Sequence, residues 1–482
     1  MPRTPLPIPL GFYTSQSRPF SSQRCINWIP TVAQGPALNN TALFQRPGIT
    51  QLALAGSANR GSWVVDGLPF FVSGNTLNSV SSTGVITPHG TIEGDNRVWM
   101  ADNGEILVIV VPGGKGYVYD GSALTEITDP DYQVSDTVVF YRGFFVFTTS
   151  DGKQLFVSNL NQPLIFDALD FGSAEGDPDR IVTQVLTHDE LSVLGERTTE
   201  VFRLVGGVGF PLAIIPGAFT EKGAASKYGV LKFDNTYLYI GGGVNELPAI
   251  WRQTSSAQAT KISTDAIDSE IQKYTKEEIA EAFTMTYSAK GQIFALFTFN
   301  SDRIPGKTFV FNGTASALAG VMVWFELQSG VTDSQWRANS IVKAYGKLLV
   351  GDDQSGNIGV LDYDNYTEYG NPIFRQAATS PFTADGIAIF AGELEATFES
   401  GVGLTLGQGS DPVVRMDFSD DGGRTWSSEF SRSIGKIGKY EQRSLWRRQG
   451  RFPVARTIRL TITDPVKANL IKLAATPEAG TQ

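Results

Sequence analysis

The chain has 482 residues, 41% hydrophobic and only 18% charged, with 51 Gly and a formal net charge of −10. With two His and one Cys it cannot build a multi-His metal centre or an intramolecular disulfide, and its acidic balance disfavours general nucleic-acid binding, which needs clustered positive charge. Many Gly together with 30 Phe and 15 Tyr predict short strands joined by tight turns, because Gly supplies positive φ and aromatic side chains suit half-buried pleated surfaces.

Residues 1–55 are rich in Pro and Asn and lack a hydrophobic period, which predicts an extended arm that packs only against something else. Prolines interrupt the stretch where a signal peptide would need an unbroken apolar segment. Cys25 is expected to be a small buried hydrophobe.

Residues 56–370 repeat one theme: an apolar strand, a turn containing Gly or Asn/Asp, and a second apolar strand. The instances begin at Gly67, Ile106, Gly143, Leu191, Tyr237, Gln292 and Lys347. Their spacing is close to the roughly 40–50 residues of a four-stranded propeller blade. Hairpins repeated this regularly cannot bury both faces alone and must stack on neighbours, so a β-propeller-like body is predicted. An irregular large β-sandwich is the alternative, since no Trp-Asp signature repeats. The most apolar run, 106–111, is cut by Pro112 and is far shorter than the roughly 20 residues that cross a bilayer, so no stable membrane insertion is expected.

Residues 263–283 break the β pattern. Ile267, Ile271 and Tyr274 fall at helical spacing, and Thr275 with Glu278 makes a capping box, so short helices are predicted near 264–283. Residues 371–482 then return to alternation and predict a small β-sandwich or barrel.

Within that last segment, Ser419, Asp421, Gly423 and Trp426 fit the Asp-box turn, in which Ser and Asp bond the turn and Trp packs beneath it. This is a structural device and not a chemical one. Residues 432–459 hold nine basic side chains against Glu441 alone, which leaves −18 for the rest of the chain. Arg443, Trp446, Arg447, Arg448, Arg451, Arg456 and Arg459 are the candidate assembly interface, because Arg and Trp are the types most enriched at binding hot spots. Acidic faces of neighbouring copies would be natural partners; a solvated basic strand is the alternative.

Catalytic apparatus is scarce. His89 and His188 lie in separate segments and read as solvated loop residues. The carboxylate pairs Asp352 with Asp353, and Glu393 with Glu395, have the residue types of glycoside hydrolysis, yet such pairs arise by coincidence in a chain of this composition. No catalytic, metal-binding or cofactor-binding residue and no enzyme activity are expected.

Several segments, taken in order, carry a resemblance. They are Arg46-Pro47-Gly48-Ile49; Ser263, Ile267, Tyr274, Thr275 and Glu278; Gly351-Asp352; Tyr369-Gly370, Pro372-Ile373 and Pro381-Phe382; and Leu445-Trp446-Arg447-Arg448 with Gly450-Arg451, Arg459 and Pro465-Val466. With them the chain resembles the packaged-DNA stabilisation proteins, the tail hub, nozzle or tail accessory factors of P22-like short-tailed bacteriophages. The resemblance implies a propeller with a platform made from the N-terminal arm and the C-terminal β-sandwich, assembled as a homohexamer. It further implies attachment below the portal adaptor, contact with a tailspike or tail fibre and a tail needle or plug, and a place in the virion after synthesis in the host cytoplasm. DNA would be retained, then ejected through a channel without sequence-specific binding. A glycan- or receptor-binding propeller, with Trp63, Trp251 or Trp336 stacking on sugars, and a sialidase-like glycosidase are the rival readings.

Overall fold

Each of the seven hairpins becomes the middle pair of strands of an antiparallel blade. In a computed structural model describing residues 3–174, 179–206, 209–383, 389–452 and 454–479, these pairs run from Leu68–Ser73 with Thr76–Val80 in blade 1 to Lys347–Asp352 with Asn357–Asp362 in blade 7. The innermost strands are Asn59–Val65, Trp99–Asp102, Ser135–Tyr141, Ile181–Thr187, Val230–Phe233, Phe283–Ala289 and Ala338–Ala344. Each lies beside the next, and Ala338–Ala344 lies beside Asn59–Val65, so the circle is complete. The fold is all-β, and its body is a seven-bladed propeller.

Stacking explains the sequence pattern. Leu107 and Ile109 pack toward Phe70, Val72 and Leu77 of blade 1, whereas Val108 and Val110 pack toward Phe145 and Phe147 of blade 3. Successive side chains of one strand point to opposite faces, and here both faces are dry. A strand buried on both faces reads as an unbroken apolar run, which is why residues 106–111 stood out.

The seventh blade borrows its outer strand from the beginning of the chain. Gly48–Leu54 pairs antiparallel with Asn357–Asp362, with Gly48 opposite Asp362 and Leu54 opposite Asn357. The remainder of the first fifty residues packs within the chain, on blade 6 and on the carboxyl-terminal part, so the arm expected to pack only against something else is integral to this fold. Ser22–Ile26 bridges Trp324–Leu327 of blade 6 and Arg375–Ala378, and that sheet continues through Ala455–Ile462 and Val413–Ser419 to Phe430–Ser433. A second sheet runs Trp28–Val32, Thr41–Gln45, Leu470–Ala479, Ile389–Phe398, Ser444–Arg447, with Thr4–Leu6 added on Leu470–Ala479. Side chains from both sheets, including Trp28, Leu394, Trp446, Met416 and Leu460, share one core. This is the sandwich platform, and both ends of the chain build it.

Gly11 shows how closely the arm docks. Its φ is +121°, and a Cβ there would lie 1.9 Å from the Trp324 carbonyl oxygen, so only Gly lets the backbone reach blade 6. Cys25 is wholly buried, its thiol donates to the Trp28 carbonyl at 3.3 Å, and burial pushes its pKa up.

The two expected helices are Asp265–Ile271 and Lys276–Ala280, the second with the Thr275–Glu278 capping box in place. Ile267 and Ile271 are buried among side chains of blades 5 and 6, and Tyr274 stacks on Phe299. A third helix, Gly313–Ala319, has a short alanine-rich sequence with no apolar period to announce it, and Asn312 caps it. Among the described residues no helix is long and apolar enough to cross a membrane.

Candidate assembly surface

Strand register decides what the basic segment can do. Ser444–Arg447 pairs with Ile389–Phe398 so that Trp446 lies opposite Leu394 and Arg447 opposite Glu393. Alternation then turns Leu394 and Trp446 into the sandwich, and Glu393, Glu395, Arg443 and Arg447 outward. The four outward side chains join Arg3 of the arm in one lattice. Arg447 donates to Glu393 at 2.9 Å, Arg443 grips both oxygens of Glu395 at 2.5 and 2.8 Å, and Arg3 donates to both glutamates. The Arg447 bond, and then Arg3, hold the Glu393 carboxyl below its usual range, and Arg443 does the same for Glu395. Both are ionised at neutral pH, so neither can serve as the protonated acid of a glycosidase pair.

The remaining candidates divide into internal and surface residues. Trp446 is wholly buried, and its indole N–H donates to the Phe430 carbonyl at 2.8 Å. Arg456 is also buried: its guanidinium grips Asp420 at 2.6 and 2.8 Å and lies over the rings of Phe418 and Phe452 at 3.8 and 4.7 Å. Arg459 grips Asp417 at 3.0 and 2.5 Å while resting 3.8 Å over Trp426. Trp446 and Arg456 are therefore core residues of the sandwich, not the surface expected of them, because their partners come from strands that register brings beneath them. Arg447, Arg448 and Arg451 form the exposed ridge, and Arg448 stands at φ +58° where the strand ends. Arg448 and Arg451 make no ion pair with the described residues.

Arg456 and Arg459 also brace the Asp-box turn from below. Ser419 donates to Asp421 at 2.7 Å and accepts from the Gly423 N–H at 2.8 Å, while Asp421 accepts from the Arg424 and Thr425 backbone and the Thr425 hydroxyl. Those bonds, led by Thr425, keep the Asp421 carboxyl far below the ordinary range. Trp426 supplies the surface on which Arg459 lies, so the turn and two of the arginines are one structural unit.

Side chains crowd the space between the inner strands. Trp99 projects from blade 2 against three separate apolar clusters. Beside it the Arg97 guanidinium lies 4.2 Å over the Phe283 ring and donates to the Asn339 carbonyl, and the Tyr228 hydroxyl donates to the Arg97 carbonyl at 2.9 Å. A cavity of about 240 Å³ lies among the inner strands of blades 1, 2, 5, 6 and 7.

The other residues singled out from the sequence do not converge. His89 is not in a solvated turn but in strand Ile86–Thr91, bonded to Ser79 at 2.7 Å and packed on Tyr119, and burial lowers its pKa. His188 is in the exposed turn between Ile181–Thr187 and Glu190–Gly195, at φ +53°. Asp352 is buried and clamped by Arg337, and burial, then Asp352 itself, pushes Asp353 up to about 7. Trp336 is buried, Trp251 lies beneath the Lys222 ammonium, and Trp63, 37% exposed, bonds Asp102.

Comparison with known proteins gives two family matches. The model described as bacteriophage P22 Gp10, β-propeller, matches residues 4–366, and that described as bacteriophage P22 Gp10, β-sandwich, matches residues 375–478. The chain is similar to the tail hub protein gp10 of Salmonella phage P22, with 24% identity over 376 residues, 75% of this chain and 76% of that protein. Among solved structures it is similar to the C-terminal WD40 domain of Sif2, at 10% identity and a TM-score of 0.40 over 65% of this chain and 99% of that one. An exo-β-1,3-galactanase from Phanerochaete chrysosporium aligns at 9% identity and a TM-score of 0.32 over 89% of this chain and 100% of that one.

Proposed function

The chain belongs to the bacteriophage P22 Gp10 family and is a structural component of a phage tail hub, and from that premise we propose that it works as a six-membered ring, the nozzle below the portal adaptor. In this reading residues 56–370 are the body, and residues 1–55 with 371–482 supply the platform. The ring retains packaged DNA, opens as the channel for ejection, and carries the distal tail parts, a tailspike or fibre and a needle or plug. It performs no reaction and needs no cofactor.

The observation that supports a channel between subunits is the crowding between the inner strands of the propeller. A cavity of about 240 Å³ behind Trp99 and Arg97 is far too small for a duplex whose major groove alone is about 12 Å wide. In this reading the passage for DNA lies between the subunits of the ring. Outside residues 432–459 the chain carries a net charge of −18, and a lumen lined by such a surface repels phosphates and lets DNA slide. The sugar-binding alternative loses two of its three stacking residues, since Trp336 is buried and Trp251 is covered by Lys222, and keeps Trp63 alone.

Electron microscopy of the purified protein, alone and mixed with portal–adaptor complexes, tests this reading. The expected result is a six-fold ring with an open acidic lumen and particles that lose DNA when the protein is withheld. A persistent monomer, or a ring with a basic lumen, overturns it. Turnover of sialosides or lipopolysaccharide with saturable kinetics would replace it with the glycosidase reading.

A further inference from the structure

The outer strand of blade 3, Gln162–Gly172, is unlike an ordinary sheet edge. Its eleven residues pair with the five of Leu155–Asn159, and the register breaks twice, between the Phe156 and Ser158 partners and again before Asn159. The surplus residues bulge away from the ladder. Leu164, Ile165, Leu169 and Phe171 are exposed as a result, Leu169 at 75%.

Soluble proteins usually blunt an edge strand with Lys, Pro or short length. This one has Pro163 and two bulges but no Lys or Arg, and its only charges are Asp167 and Asp170. The two carboxylates are close enough that Asp167 adds to the effect of burial in raising the pKa of Asp170. Exposed apolar side chains interleaved with two carboxylates make a patch that a partly apolar, cationic surface would complement.

The sandwich ridge offers the complement. Arg447, Arg448 and Arg451 are exposed, the last two without an ion-pair partner among the described residues, and Phe390 and Val454 stand beside them at 44% and 68% exposure. A closed ring needs two different patches on each subunit that fit each other head to tail. We propose that the outer strand of blade 3 receives the Arg447–Arg451 ridge of a second copy, the guanidiniums neutralising Asp167 and Asp170 while Phe390 and Val454 cover Leu164 and Leu169. This contact rests on the ring reading and adds the surfaces that would close it.

Charge exchange tests the contact. D167K/D170K and R448D/R451D chains should each lose assembly at least tenfold in the concentration required, read by light scattering with and without portal–adaptor complexes. Mixed in equal amounts, or combined in one chain, the two reversals should restore it. Cys25 is wholly buried, so a Leu169→Cys chain carries one reactive thiol. It should react with a maleimide in the monomer and be protected in the ring.

A ring that forms unchanged with the acidic reversal, or that leaves the Leu169→Cys thiol fully reactive, overturns this contact alone. Absence of restoration among variants whose circular dichroism is native does the same. Protection that arises on adaptor binding without self-association assigns the strand to the adaptor instead. A wild-type chain that stays monomeric in every condition overturns the ring and this contact together.

Discussion

Arg46 and Glu368 meet at 2.9 Å in the wall where the propeller closes, both almost wholly shielded from solvent. Arg46 immediately precedes the closing strand, and Glu368 bridges to Ile49 within it while accepting the Trp336 indole N–H at 2.9 Å. Arg46 also donates to the Asn27 side chain, whose own amide holds carbonyls of Gln328 and Phe374. One polar knot thus ties the arm, the last blades and the platform. A buried pair adds little net stability, because desolvation offsets its attraction, but removing one partner leaves a bare charge. Arg46→Ala or Glu368→Ala should each lower unfolding stability by about 3–5 kcal/mol in denaturant titration, more than Arg46→Met with Glu368→Leu together. Losses below about 1 kcal/mol would contradict the role assigned to the pair.

Asp353 makes stability depend on pH in the neutral range. Burial, then the charge of Asp352, raises its carboxyl to about 7, and its buried Oδ1 has no hydrogen-bond partner. A carboxyl with a raised folded pKa binds its proton more tightly in the native state. Stability should therefore fall as pH rises from about 4, the unfolded value, through about 7, and level off above. Asp353→Asn should flatten that slope and raise the melting temperature at pH 8 while changing it little at pH 4. Parallel melting curves for the two chains at both values would refute this.

The Arg3, Arg443 and Arg447 lattice has the opposite sign. Glu393 and Glu395 are held below their ordinary range, so their contribution is complete above the unfolded pKa of about 4.3 and fades as pH falls through the depressed folded values. Hydrogen exchange should show Thr4–Leu6 and Leu470–Ala479 opening earlier on acidification in wild type than the propeller blades do. A Glu393→Gln/Glu395→Gln chain should show the looser behaviour already at pH 7.

Structural and surface arginines are separable by substitution. Arg456→Lys loses a two-pronged bond to Asp420 and the stacking on Phe418, which Lys cannot reproduce, and should cost about 2–3 kcal/mol of stability. Arg448→Ala with Arg451→Ala should leave the isolated chain within about 0.5 kcal/mol of wild type. Chemical denaturation of the monomer checks both, and equal losses would erase the distinction between core and ridge.

The parts of the propeller legible in the sequence are its dry middle strands. A hairpin such as Leu107–Val110 with Gly116–Tyr119 is apolar on both faces and pivots on Gly, so each blade's centre stands out without knowledge of its neighbours. Several outer strands are bulged and part-solvated, as Gln162–Gly172 is, and carry no clean period. Gly48–Leu54 reads as part of the arm because its partner, Asn357–Asp362, is distant in the chain and nothing local announces it. The same distance hides the partners of the arginines. Arg456 and Arg447 look alike along the chain, and only the register that puts Asp420 and Phe418 under one and Glu393 beside the other sends the first to the core and the second to the rim. Charge density was readable, and direction was not.

The strand that shuts the propeller is among the first made and waits for Asn357–Asp362, while Thr4–Leu6 waits for Leu473–Ala475 near the carboxyl terminus. At about 5–20 residues per second, a ribosome leaves these early segments without partners for tens of seconds. A polypeptide cut short before Asn357–Asp362 lacks the latch, and one cut short before Leu470–Ala479 lacks the completed platform sheet. Translation thus orders completion: under the proposed head-to-tail contact, a copy ending before Arg447–Arg451 would carry the blade 3 strand without the ridge and could extend a ring in one direction only.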